Sequence, residues 1–153
     1  MNTYANLDGA ASPAGTAHAV ALAGRILLAL LFIVAGYNKI GGFDGTAAYM
    51  ASKGLPMPQV LLVLTILLEL GGGLLIAAGY KARWVAIVFF LWLIPTTFIF
   101  HKFWGIDAAQ VQNQMNHFLK NVSIAGGMLL LAAFGPGAFS LDRAERARFG
   151  RAR

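Results

Sequence analysis

The chain contains no cysteine. That excludes a disulfide, a thiolate nucleophile and a cysteine-held iron–sulfur cluster, so redox chemistry here needs a bound group or a partner. Charge is scarce too. Only 12% of the 153 residues are Asp, Glu, Lys or Arg, about half the share usual in a soluble domain. The first twenty residues hold no Lys or Arg, whereas a cleavable secretory signal needs a positive n-region. Residues 1–19 therefore read as a disordered tail leading into an uncleaved span. The run Gly71–Gly73 lacks both G-x-G-x-x-G spacing and a preceding strand, so it reads as helix packing rather than a nucleotide loop. No nucleophile–base motif, internal repeat or low-complexity segment stands out.

What is present is apolar length. Hydrophobic residues make up 58% of the chain. Four runs follow one another: about Val20–Ile40, Gln59–Tyr80, Ala82–Phe100 and His117–Phe134. Roughly 20 apolar residues at about 1.5 Å each cross the hydrocarbon core. Segments this apolar satisfy their backbone in lipid as helices. The expected fold class is all-α, a polytopic membrane protein with a four-transmembrane-helix bundle over residues 20–139. Asp44 to Gly54, with an acidic start, a basic end and a glycine stop, reads as a short interfacial helix in loop 1–2. Residues 140–153 read as a basic tail.

The net charge of +6 is not a nucleic-acid signal, because five of the twelve basic residues fall in the last eleven positions. Beside a span, such a tail sets topology. Lys81, Arg83, Arg25 and the tail arginines share one side, which predicts cytoplasmic termini and loops 1–2 and 3–4 outside. The bilayer is the expected environment, nucleic acid is not a partner, and self-association stays open.

One residue breaks the apolar pattern. Glu69 is the only ionisable group in Val60–Gly79. A charge there costs roughly 2.5–3.5 kcal/mol on insertion scales, and flanking Leu, Ile and Val offset it at roughly 0.3–0.6 kcal/mol each. Such a group is expected to face the bundle interior and find a partner; Arg25 and Lys120 are the candidates.

Helical spacing places Arg25, Phe32, Gly36 and Lys39 on one stripe of span 1. It places His117, Lys120 and Asn121 on one stripe of span 4, and Thr97 with His101 on span 3. Converging, these faces form a polar pocket from Arg25, Lys39, Glu69, His101, His117, Lys120 and Asn121, with Glu69 as its floor. A structural ion pair and interfacial anchoring are the bland alternatives for the same residues. A bis-histidine haem at His101 and His117 is disfavoured. So is a metal held by two histidines and Glu69, which sits roughly 15 Å deeper.

Several ordered pieces resemble the DoxX family of membrane proteins. They are Arg25-Ile-Leu-Leu with Ala35-Gly36-Tyr37-Asn38-Lys39, Tyr49 with Lys53-Gly54-Leu55-Pro56, and Leu68-Glu69-Leu70-Gly71-Gly72. Next come Phe100-His101-Lys102-Phe103-Trp104, Asn116-His117-Phe118-Leu119-Lys120-Asn121 with Gly126-Gly127, and Gly135-Pro136-Gly137 with Ser140-Leu141-Asp142. The resemblance spans about Arg25 to Asp142. It implies a four-helix inner-membrane protein, at most an oxidoreductase subunit; one relative serves a thiosulfate:quinone oxidoreductase and others are linked to redox or thiol stress. It leaves the cofactor open, with a quinone as one candidate class, and offers a redox protein as a candidate partner. A non-enzymatic anchor, an assembly factor and a small-solute transporter are the alternatives.

Overall fold

The structure, a computed structural model, describes residues 13–150. Residues 1–12 of the expected tail, and Arg151 and Arg153, lie outside the described residues. Among the described residues the chain is helical with no strand: α1 (Pro13–Gly41), α2 (Phe43–Ser52), α3 (Pro58–Ile66), a π-helical segment (Leu67–Gly72), α4 (Gly73–Ala78), α5 (Ala82–Phe100), α6 (Ala108–Phe134) and α7 (Leu141–Gly150). Four helices are long and apolar enough to cross a membrane: Gly15–Gly41, Pro58–Ala78, Ala82–Phe100 and Ala108–Phe134. Much of their apolar surface stays exposed, as at Leu27, Trp84 and Phe134, which suits contact with lipid rather than water.

Three boundaries differ from the sequence expectation. α1 begins at Pro13, inside the stretch read as tail, because proline lacks the N–H that a first helical turn leaves unused. α6 begins at Ala108 rather than His117, with Asp107 as its cap accepting from the Ala109 amide at 2.8 Å. The polar residues Gln110 to Asn116 thus extend a helix where a loop was expected. Within the expected basic tail, Leu141–Gly150 form the helix α7.

α1 lies along the second span (α3 to α4), and α5 lies along α6. Glycines set the first contact. A Cβ on Gly36 would stand 2.8 Å from the Leu70 amide nitrogen, and one on Gly73 would stand 3.2 Å from the Ile33 nitrogen. The two backbones therefore touch, as small residues permit inside membranes. Gly72 faces the other way, where a Cβ would meet Phe89 at 2.9 Å, and Gly71 faces open space. So the three adjacent glycines serve two different neighbours.

The two helix pairs close on a core of Ala29, Phe32, Ile76, Ala86, Phe89 and Met128. The Phe32 and Phe89 rings lie 4.1 Å apart, with Trp92 edge-on to both. A second cluster, Ala47, Met50 and Leu62 with Phe43 and Phe100, seats α2 on the opposite end of the bundle. Between the two clusters the helix pairs leave a cavity.

At the α7 end, Arg25 is buried, 3% exposed. Its guanidinium donates to the carbonyls of Ala77 (3.3 Å), Phe139 (2.7 Å) and Pro136. These join α1 to α4 and to the α6–α7 connection. Asp142 accepts from the Lys81 and Ala82 amides at 2.8 and 3.2 Å, capping α5, where no intrahelical acceptor exists. The Gly79 turn (φ +67°) reverses the chain between α4 and α5, and its end is fixed by Tyr80 donating to the Leu75 carbonyl at 3.0 Å, a Schellman-type closure.

Candidate functional site

The cavity has a volume of about 630 Å³, within the range of sites that hold small organic ligands. Most of its wall is apolar, including Phe32, Leu61, Leu68, Trp92 and Ile124; Lys39, Glu69, His101, Lys120 and Asn121 supply the charged and amide groups.

Glu69 lies in the π-helical segment. A π turn adds a residue to the helical register, and such turns recur at functional positions. The carboxylate is 4% exposed. Its partner is Lys39, not Arg25 or Lys120: Nζ stands 3.0 Å from Oε1 and 2.8 Å from Oε2. Only the Oε1 contact has hydrogen-bond geometry, so Oε2 feels the nearby charge while accepting no hydrogen bond. The pairing follows from packing. Gly36 presses against Glu69 and Leu70, and Lys39 is three residues on, on the same face. Helical side chains lean toward their own N-terminus, which carries the ammonium back to the carboxylate.

α5 supplies another wall. Pro95 lines the cavity inside the helix and offers no N–H to the turn before it. The adjacent threonines turn back on their own helix, Thr96 to the Trp92 carbonyl (2.9 Å) and Thr97 to that of Leu93 (2.6 Å). Just past α5, His101 Nδ1 lies 3.2 Å from Gln114 Oε1. With that amide oxygen as acceptor, Nδ1 carries the proton and Nε2 is left as an acceptor. Burial holds the His101 imidazole below the ordinary histidine range; the Gln114 bond opposes this, and His117, Lys120 and Lys53 add to the lowering.

From α6, Asn121 is buried at the cavity wall and its side chain makes no hydrogen bond among the described residues. Lys120 stands 3.2 Å from His117 Nδ1. His117 does not line the cavity; its ring stacks on His101 with centroids 5.1 Å apart and planes 24° apart. Rings stacked face to face have no space between them for a porphyrin, so this arrangement does not suit a bis-histidine haem. No group of three metal-ligating side chains occurs among the described residues.

Five of the seven residues expected to converge therefore do so: Lys39, Glu69, His101, Lys120 and Asn121. His117 stands behind His101. Arg25 is at the far end, occupied by carbonyls. Sequence reasoning missed Thr46, Tyr49 and Trp92 as cavity residues. Tyr49 had a signal in its place one turn before Lys53, which follows α2; in the structure its ring lies tilted beside that of Phe100, with centroids 5.7 Å apart.

The DoxX family model matches residues 20–102, which include Lys39, Glu69 and His101. Inner membrane protein YphA of Escherichia coli is 43% identical over 144 residues, covering 94% of this chain and 99% of the relative. Inner membrane protein YqjF of the same organism is 46% identical over 122 residues, covering 80% and 88%. CatD of Bacillus subtilis, provisionally named an oxidoreductase, is 36% identical over 70 residues, covering 46% and 51%. No solved structure matches the chain significantly. With the family model spanning most of the residues from α1 to α5, and full-length relatives that are inner-membrane proteins, this four-span chain belongs to the DoxX family of multi-pass membrane proteins.

Proposed function

We propose that the protein is a redox-associated subunit of the inner membrane that binds a quinone or similar amphiphile in the central cavity. The observation that carries the reading is an apolar cavity of about 630 Å³ bearing the Lys39–Glu69 pair, whose carboxylate is buried and whose ammonium is half-buried. An apolar ring and tail fit the Leu, Phe and Trp wall, while the few polar groups fix orientation, the usual division of labour in such sites. The ammonium groups of Lys39 and Lys120 and the Asn121 amide offer donors to a ring oxygen. Glu69 Oε2 and His101 Nε2 offer places for a proton beside it. The oxidoreductase name of CatD supports a redox setting. With no cysteine in the chain, electrons in this reading reach the quinone from a partner protein or another bound group. Basic residues gather at the α7 end, so in this reading both termini are cytoplasmic.

The test is an absorption spectrum and lipid-extract mass spectrometry on gently purified protein. A quinone at near-stoichiometric amount, reduced in the Glu69→Gln variant, is the expected result. Protein that carries no quinone and takes none up at any added concentration removes the reading.

A further inference from the structure

A second cavity, of about 270 Å³, opens at the α7 end and plays no part in the chemistry above. Its wall joins Arg83 from the start of α5, Arg143 and Arg146 from α7, His18 from α1, and the Gly135–Ala138 turn. Arg83 and the two α7 arginines come from separate parts of the chain, and none of the three has an ion-pair partner among the described residues. Asp142 also lines the cavity. Its two oxygens are taken by the Lys81 and Ala82 amides, so it offsets one positive charge without closing the site. Three guanidinium groups against one carboxylate leave a concave site of net +2, counting His18 as neutral.

Exposed apolar groups adjoin it. Phe134, at 79% exposed, is part of the wall, and Phe139 in the following connection and Leu141 at the start of α7 are exposed as well. A basic hollow with an apolar margin, at the end of membrane-length helices, has the chemistry of a site for a phosphate headgroup whose acyl chains stay in the bilayer. Guanidinium forks suit phosphate oxygens better than a point charge would.

We propose that this cavity binds the headgroup phosphate of an anionic phospholipid from the surrounding membrane, held by Arg83, Arg143 and Arg146. α7 is then a helix fixed by lipid at the membrane surface. The role is independent of the central cavity.

The experiment is native mass spectrometry of the full chain in detergent, titrated separately with phosphatidylglycerol, phosphatidylcholine and inorganic phosphate. Phosphatidylglycerol is expected to be retained in preference to phosphatidylcholine. Near a membrane surface each arginine contributes roughly a fivefold change in binding, so Arg83→Gln with Arg146→Gln should lower that preference on the order of 20- to 30-fold. The pair Lys53→Gln with Lys102→Gln, at the opposite end, should leave it unchanged, which separates a local site from loss of total charge. Equal retention of the two lipids, or an unaltered preference in the Arg83/Arg146 variant, overturns the proposal. Inorganic phosphate bound as tightly as phosphatidylglycerol overturns the lipid assignment. Unfolding of the variant is read by circular dichroism, and the single variant Arg146→Gln, on the exposed face of α7, then carries the test with an expected fivefold effect.

Discussion

Replacing Lys39 with methionine keeps the hydrocarbon stem and removes the charge that faces Glu69. The carboxylate it leaves behind is 5% exposed at its side chain, whereas Lys39 is 27% exposed. Breaking a buried pair by removing one partner costs about 3–5 kcal/mol. Two features lower that figure. Water reaches Lys39, so the pair is not fully dry, and the stranded carboxyl can take up a proton instead of remaining an anion. At pH 7, protonating a carboxyl of ordinary pKa about 4.3 costs about 3.7 kcal/mol, which bounds the loss; at pH 5 the same step costs about 1 kcal/mol. Lys39→Met should therefore destabilise the protein by about 2–4 kcal/mol at pH 7 and about 1 kcal/mol at pH 5. The penalty shrinks as pH falls because acid supplies the missing proton. The double variant Lys39→Met with Glu69→Gln should recover most of the loss, since no buried charge is left without a partner. Unfolding titration in mixed micelles, followed by circular dichroism at both pH values, measures all three. A Lys39→Met penalty that is absent at pH 7, or equal at pH 5 and 7, would mean that Lys39 does not stabilise the Glu69 carboxylate.

Three further outcomes follow from the same geometry. Gly36→Ala places a methyl 2.8 Å from the Leu70 amide nitrogen, a backbone atom that cannot swing away; thermal unfolding should show a loss of about 1–3 kcal/mol. Arg25→Lys keeps the charge but cannot span the carbonyls of Ala77, Pro136 and Phe139; a loss of about 2–4 kcal/mol is expected, against near-neutral behaviour if Arg25 merely snorkels to water. His101 has a folded pKa lowered from its ordinary value near 6.5, mainly by burial. Between the two values the unfolded chain binds more protons, so stability rises with pH there. The His101 contribution is full above about pH 6.5 and is lost as pH falls through the folded value. His101→Gln should flatten that slope in a pH series of unfolding temperatures.

The spans were legible because lipid-length apolar runs admit only helices. The polar stripes were legible because helical period puts Gly36 with Lys39, and Lys120 with Asn121, on shared faces. Period says nothing about depth along an axis. Arg25 and Lys39 share a stripe of a 29-residue helix, yet about 20 Å of rise separates them. That rise sends Arg25 to the carbonyls at one end and Lys39 to Glu69. The π segment had no signature of its own: its register is set by Gly36 against Leu70 and by Gly72 against Phe89, contacts made only when the helices meet. The early start of α6 was hidden by its polar composition, since Gln110 to Asn116 read as loop when lipid burial is the only helix signal used. The Asp107 cap was the available clue.

In the proposed function an amphiphile enters the cavity and meets the Lys39–Glu69 pair. Trp92 lines that cavity, whereas Trp84 and Trp104 do not. A variant carrying Trp84→Phe and Trp104→Phe reports on Trp92 alone. Titrating it with a short-chain quinone in detergent should quench that fluorescence to saturation at one equivalent, and adding Glu69→Gln should raise the concentration required several-fold. Quenching that rises linearly without saturation, or saturates identically with Glu69→Gln, rules out a quinone seated beside the pair.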